Sequence, residues 1–492
     1  MYKFHTKPYQ HQKKAFDASW SANHFALFME MGTGKSKVAI DTIAALFEAG
    51  KVDTALILAP KGVFDNWVKA EIPIHLPPRI QRSVLRWQPG LTKKFVNDLK
   101  DFALPNLRKA KTLHLFVMNI EALSTDKGFD TAKDFISMNP NIITIVDEST
   151  TIKNRQARRT KNVIHLGRMS KYTRILTGSP ITKSPMDLFS QCDFLTKNCL
   201  GLPSFYAYQN RYAIVVQRTM GRHSFREITG YRRLDELNEK LDTFSYRVLK
   251  EDCLDLPKKI YIRREVLLSP EQTKAYAQMK KLALTKLESG ELATTQSVLT
   301  QIMRLQQICC GFLRTDEEEL VPLKNNRLNE LLDIADEVQG KAIIWATWSH
   351  DIEMIADALR RRFGPEAAAT YYGATPQNDR QDIVERFQDK DSELRFFIGQ
   401  PKTGGYGITL TAANTMIYYS NSYDLEIRLQ SEDRAHRIGQ EQNVTYIDLM
   451  AVGQELRGKQ QKTIDEKIVK ALRDKINIAG EVLGEDARQW LI

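Results

Sequence analysis

The sequence predicts an α/β protein made of two doubly wound parallel-sheet lobes with a helical insertion between them. Three observations predict it. Apolar runs of strand length alternate with amphipathic stretches of helix length from 24 to 181. After a mainly helical middle the same alternation resumes at 341, and 492 residues exceed what one hydrophobic core can organise. Runs apolar at every position, rather than at every second one, belong to strands covered on both faces, as in a parallel sheet between helices. The expected division is an amino-terminal lobe over 1–255, with the insertion from about 186, and a carboxy-terminal lobe over 256–492, led by a helical segment over 265–325.

The first lobe is organised around Met31-Gly32-Thr33-Gly34-Lys35-Ser36. The run from His24 to Met29 reads as a strand, and Val38, Ile40, Ile43, Ala44 and Phe47 recur at helical spacing after the glycines. Strand, glycine turn and helix make a phosphate cradle. Gly32, Thr33 and Gly34 let successive N–H groups face a triphosphate such as ATP, Lys35 brings a mobile positive charge, and Ser36 offers a hydroxyl to Mg2+. A strict phosphate loop has a glycine five residues before Gly34, where this chain has Met29, so the loop is a shorter form or a plain strand-to-helix turn. Upstream, the amide of Gln10 matches the donor and acceptor edge of adenine, unless it only opens a solvated first helix.

Ala55 to Ala59, closed by Pro60, is a buried central strand, and Lys61 to Trp67 leaves its carboxyl end, where open α/β sheets bind ligands. Leu113 to Met118 is a strand followed by Asn119. Ile142 to Val146 ends in Asp147-Glu148. A carboxylate at the tip of a buried strand can hold magnesium and its neighbour can polarise the attacking water, so Asp147 is assigned to the metal and Glu148 to the base. Arg174 to Leu176 runs into Thr177-Gly178-Ser179, whose hydroxyls can hydrogen-bond the acidic pair.

From 182 to about 320 the pattern is mainly helical, apart from an arginine- and glycine-rich stretch over 217–233 that reads as a basic hairpin touching phosphates or as a solvated excursion. The second lobe opens with Lys341 to Ala346 and continues through strands ending at Tyr371, Gly399 and Tyr419. Its glycine-rich turn, with Gly404, Gly405 and Gly407, lets backbone approach a ligand, and Gly407 is assigned to the nucleotide. This lobe has no phosphate loop of its own. It carries Arg434 and Arg437, three apart on one predicted helical face, where guanidinium groups could stabilise a transferring phosphoryl group rather than serve a surface salt bridge.

A net charge of +11 favours a polyanionic partner. The five cysteines form no CxxC pair, so reduced, buried thiols in a cytosolic setting are expected. The start is too charged for a secretory signal and no apolar run reaches spanning length, so the expected location is cytoplasmic, with no membrane partner.

Taken in order, KPYQ, MGTGKS, LILAPKGVFDNW, VMNIEAL, DEST, LTGSPI, IIWATW, TGGYGITLTAANTMIYY and QSEDRAHRIGQ resemble the successive motifs of superfamily 2 helicases, and among them the Swi/Snf-type double-stranded DNA translocases. The resemblance implies two RecA-like lobes holding ATP and magnesium in a cleft, and DNA lying across both lobes. It implies that Lys61, Asn119 and the turn Lys402-Thr403-Gly404-Gly405 touch DNA, while Arg434 and Arg437 act as arginine fingers. Ser149-Thr150 stands where the family pattern has Ala-His, a departure that bears on coupling between hydrolysis and DNA contact. The inter-lobe insertions look short and no appended chromodomain, bromodomain or zinc finger is visible, as in compact viral and bacterial members. The expected function is a monomeric, DNA-dependent ATPase moving along duplex DNA. A strand-separating helicase for DNA or RNA and a nucleotide-dependent DNA-binding scaffold are the alternatives.

Overall fold

Helices alternate with buried strands twice along the chain, and the described residues fall into two units. One is drawn from 1–219, 224–255 and 475–492, the other from 220–223 and 256–474. The computed structural model describes residues 2–61, 63–90, 95, 97, 99, 102, 111–220, 223–253, 256–288, 295–315, 319–376, 378–404, 408–437, 439–456 and 459–483.

The first unit contains β1 (His24–Met29), β2 (Thr54–Ala59), β3 (Arg82–Arg86), β4 (Leu113–Asn119), β5 (Ile142–Asp147), β6 (Tyr172–Thr177), a two-stranded sheet of β7 (Ala213–Met220) and β8 (His223–Tyr231), and β9 (Ser245–Val248). Seven of these strands form one sheet in the order β3-β4-β2-β5-β6-β1-β9, with every neighbouring pair parallel. Successive strand residues point to opposite faces, so one run supplies two cores. Leu27, Met29, Ile57 and Ile145 pack on one side with Phe16, Val38 and Ile43, from helices α1 (Gln10–Ser19) and α2 (Lys35–Glu48). Ala26, Phe28, Leu56, Leu58 and Val146 pack on the other with Phe135 and Val163. Because the strands are parallel, their carboxyl ends share one edge. Phe28 pairs with Thr177, Leu176 with Asp147, Leu58 with Val146, and Ala59 with Asn119, which aligns those ends to within a residue or two.

The second unit repeats the plan with β10 (Lys259–Leu267), the short pair β11 (Phe312–Arg314) and β12 (Leu320–Pro322), β13 (Lys341–Trp345), β14 (Ala368–Tyr371), β15 (Phe396–Gly399), β16 (Ala413–Tyr418) and β17 (Val444–Val452). Six strands make a second sheet in the order β10-β17-β16-β13-β15-β14, again parallel throughout. Ala342 and Ile344 face one core and Ile343 and Trp345 the other. The exposed side of the edge strand β14 is capped by side chains: Arg360 Nε donates to Ala368 O and Thr375 Oγ1 to Thr370 O, each at 3.1 Å. Such capping blocks edge-to-edge association.

The predicted fold class is the one observed, but the middle is less helical than its sequence implies. Helices over Leu188–Leu195, Phe205–Tyr212, Leu234–Asp242, Pro270–Glu288 and Thr295–Cys310 are interrupted by β7 and β8 and by two sheet-edge strands, β9 and β10. An edge strand has one side in solvent and can afford charges, which hides it from a search for apolar runs. Ile260 and Ile262 of β10 are about 40% exposed and alternate with Tyr261 and Arg263. The stretch over 217–233 falls largely on β7 and β8, tied by an Arg218–Glu227 ion pair at 2.8 Å. All five cysteines are free; Cys192, Cys309 and Cys310 are buried, whereas Cys199 and Cys253 are only partly so. Among the described residues no helix is long and apolar enough to cross a membrane.

Candidate nucleotide and nucleic-acid site

The phosphate loop joins β1 to α2 as predicted from its glycines. Gly32 and Gly34 take left-handed backbone, with φ of 82° and 91°, and Gly34 caps α2, so Lys35 and Ser36 are its first two residues. That geometry puts the free N–H groups and positive dipole end of α2 at the loop. Lys35 is buried, its Nζ donating to Met29 O at 2.9 Å and Glu30 O at 3.4 Å. Thr33 Oγ1 closes the turn on Glu30 O at 2.7 Å.

Gln10 lies exposed at the start of α1, and two neighbours that the sequence reading left unassigned reach the loop instead. His11 Nε2 and Gln12 Nε2 lie 2.8 and 3.1 Å from Thr33 O, and Gln12 Oε1 accepts from Tyr9 N at 3.1 Å. A Cβ at Gly34 would fall 2.2 Å from Gln12 Nε2, the far end of a flexible side chain that could shift, so it is the φ of 91° that calls for glycine. The signal was a glutamine at the third position of a helix, where it can reach back to the cap. From β9, Arg247 Nη1 donates to Phe28 O and Gly178 O at 3.2 and 2.7 Å, and Lys250 N to Glu30 Oε2 at 2.6 Å. Contacts from β9 and the residues just after it, 219 and 220 positions along the chain, thus brace the segment leading into the loop.

Asp147 ends β5 and is buried, with Oδ2 accepting from the Trp67 indole at 2.8 Å and Oδ1 from Glu148 N at 3.0 Å. Burial pushes its carboxyl above the ordinary range, while the Trp67 bond, the Lys35 charge and the Glu148 N–H pull the other way. Glu148 has φ of 47°, a left-handed conformation uncommon outside glycine, followed by a tight turn over Ser149–Ile152. Ser149 Oγ donates to Gln191 Oε1 at 2.7 Å, and Gln191 Nε2 donates to Pro180 O and Asp187 O, both at 2.8 Å. The residue that departs from the family pattern is therefore wired to the segment after β6. Among the described residues no three His, Cys, Asp or Glu side chains form a metal cage. A buried carboxylate under the influence of the Lys35 charge, with a hydroxyl residue at the start of α2, fits magnesium, which keeps waters and phosphate oxygens as its other ligands.

Lys61 follows β2 and Asn119 ends β4, and the structure brings them to one carboxylate. Lys61 N donates to Glu121 Oε2 at 3.1 Å and Asn119 Nδ2 to the same oxygen at 3.4 Å. Glu121 lies inside the VMNIEAL motif, two residues after Asn119, and its spacing alone does not show that it also reaches Lys61.

In the second unit Lys402, Thr403 and Gly404 form a short turn of helix, Pro401–Gly404, directly after β15. Gly405 and Gly407 lie outside the described residues. Arg434 and Arg437 do not share a helical face, because the helix over Leu425–Glu432 ends before both. The backbone turns there, and both side chains bend back toward Ile408 O, at 3.1 Å for Arg434 and 3.5 Å for Arg437. Arg434 is only 2% exposed and also donates to Gln430 O at 3.0 Å, whereas Arg437 is half-buried.

Residues 9–312, more than half of the chain, match the model of the SNF2-related domain, and 323–439 match the helicase conserved C-terminal domain. The chain belongs to the SNF2-related family. This SNF2-related protein is 26% identical over 475 residues to the putative ATP-dependent helicase/translocase YwqA of Bacillus subtilis, covering 94% of this chain and 46% of the relative. It is 25% identical over 502 residues to the chromatin structure-remodeling complex subunit snf21 of Schizosaccharomyces pombe, covering 97% and 39%. With the DNA annealing helicase and endonuclease ZRANB3 of Mus musculus it shares 25% over 462 residues, covering 92% and 38%. The chain thus spans less than half the length of these relatives. The solved Sulfolobus solfataricus SWI2/SNF2 ATPase core in complex with dsDNA aligns over 99% of this SNF2-related chain and 95% of its own, at 21% identity and a TM-score of 0.42.

Proposed function

We propose that the chain is a DNA-dependent ATPase that hydrolyses ATP to move along duplex DNA and remodel DNA or protein–DNA complexes, working as a monomer inside the cell. The observation that carries the reading is convergence. The phosphate loop, the Asp147-Glu148 pair and the Lys61–Asn119 cluster all leave the carboxyl ends of one parallel sheet, where α/β sheets bind ligands. Family membership supports ATP as fuel, and the net charge of +11 supports a polyanionic track.

In this scheme the N–H groups at the start of α2 and the Lys35 ammonium receive the β- and γ-phosphates. Lys35 leaves Met29 O to do so, exchanging a neutral acceptor for a charged one. Asp147 and Ser36 would hold magnesium, which when bound neutralises phosphate charge. Glu148 takes the proton of the attacking water. Of the two candidate arginines, Arg437 is the one assigned to the charge that spreads over the transferring group. Backbone-tracking motors contact phosphates and leave bases unread, so sequence preference is not expected.

Lys35→Ala should lower turnover by about 10² to 10³-fold and weaken ATP binding, as expected for losing one preorganised donor at the phosphates. Equilibrium binding of a fluorescent ATP analogue and steady-state kinetics check it. The test of the whole reading is phosphate release measured with no nucleic acid, duplex DNA, single strands, forks and RNA, together with triplex displacement. Stimulation by duplex DNA with triplex displacement is expected. Unwinding of forks without triplex displacement would favour a strand-separating helicase, and no release in any arm would favour a scaffold.

A further inference from the structure

We infer that Trp67 is a positioning residue through which nucleic acid held at Lys61 and Asn119 sets the orientation of the Asp147 carboxylate, and hence the affinity for magnesium-bound nucleotide. The inference rests on the proposed roles of Asp147 and of the Lys61–Asn119 cluster, and extends them to a residue outside both. Trp67 is fully buried, yet its indole N–H is spent on a residue 80 positions away, at 2.8 Å. A buried indole is a single donor with one fixed direction, so a shift of its backbone moves or breaks that bond. With Trp67 on Oδ2 and Glu148 N on Oδ1, each carboxylate oxygen is held by one donor.

The chain from the cluster to Trp67 is short and hydrogen-bonded. Val63 N and Phe64 N donate to Pro60 O at 2.8 and 3.0 Å, and Asn66 N donates to Val63 O at 2.9 Å. Trp67 then opens a π-helical turn, Trp67–Glu71, the wide-turn irregularity that recurs at functional positions in helices. At the other end, Lys61 N and Asn119 Nδ2 meet on Glu121 Oε2. A nucleic-acid phosphate arriving at Lys61 and Asn119 competes with Glu121 for these donors. Among the described residues these hydrogen bonds connect that exchange to Trp67.

The test is equilibrium binding of a fluorescent ATP analogue to the full chain, titrated with Mg2+, with and without saturating duplex DNA. Duplex DNA should lower the Mg2+ concentration needed by the wild type. Trp67→Phe, which keeps an aromatic ring but loses the donor, should need about tenfold more Mg2+, as expected for losing a hydrogen bond to a charged group, and should no longer respond to DNA. Its binding in excess chelator should match the wild type, which a general loosening of the fold would not allow. Trp67→His restores a ring N–H and should recover part of the response; it also carries the comparison if the Phe variant does not fold. A Phe variant with wild-type Mg2+ dependence and DNA response overturns the inference while leaving the motor reading intact. A wild type whose nucleotide binding ignores Mg2+ or DNA also overturns the inference, whereas only phosphate release that duplex DNA leaves unchanged overturns the motor reading.

Discussion

Glu148→Gln should lower ATP turnover by about 10² to 10⁴-fold, the usual contribution of a general base, while nucleotide still binds. The geometry makes this substitution discriminating. Glu148 is held in left-handed backbone between Asp147, whose side chain accepts its N–H, and a tight turn in which Thr151 N donates to Glu148 O at 3.0 Å. Glutamine has nearly the same shape and the same backbone preferences, so it removes the basic oxygen without releasing the strain. The melting temperature should therefore stay put as turnover collapses. Single-turnover phosphate release beside nucleotide binding checks both halves, and DNA-stimulated hydrolysis near the wild-type rate would remove Glu148 from the base role.

Arg437→Ala should cost about 10³-fold or more in turnover with little effect on folding, whereas Arg434→Ala should first unfold its surroundings. The structure separates two arginines that look alike in the chain. Arg434 is buried and satisfies the carbonyls of Gln430 and Ile408, so truncating it leaves acceptors without that donor, at about 1–3 kcal/mol. Arg437 is half-buried and its contact with Ile408 O is longer, 3.5 Å against 3.1 Å for Arg434, so truncating it disturbs less of the surrounding backbone. Thermal melts together with ATPase rates on both variants decide the assignment. A stable, inactive Arg434→Ala chain beside an active Arg437→Ala chain would reverse it.

Much of the fold was legible because interior strands of a parallel sheet must be apolar throughout. The runs at 24–29, 54–59, 113–119 and 142–147 announce themselves, and parallel pairing brings their carboxyl ends, Asn119 and Asp147 among them, to one edge. Edge strands escaped notice for the opposite reason. β3, with arginine at both ends, and β10, with its alternating exposed isoleucines, face solvent on one side and carry no unbroken apolar run.

Order along the chain established which residues stand at strand tips and where the phosphate loop lies, because those follow from local runs and turns. Which side chains brace that loop was decided by folding. Gln12 under Gly34, Arg247 on Phe28 O, Trp67 on Asp147, and Glu121 between Lys61 and Asn119 all join positions that only sheet order and helix packing make neighbours. A hydrogen bond depends on distance and direction to within a fraction of an ångström, and a linear pattern of residue types carries neither.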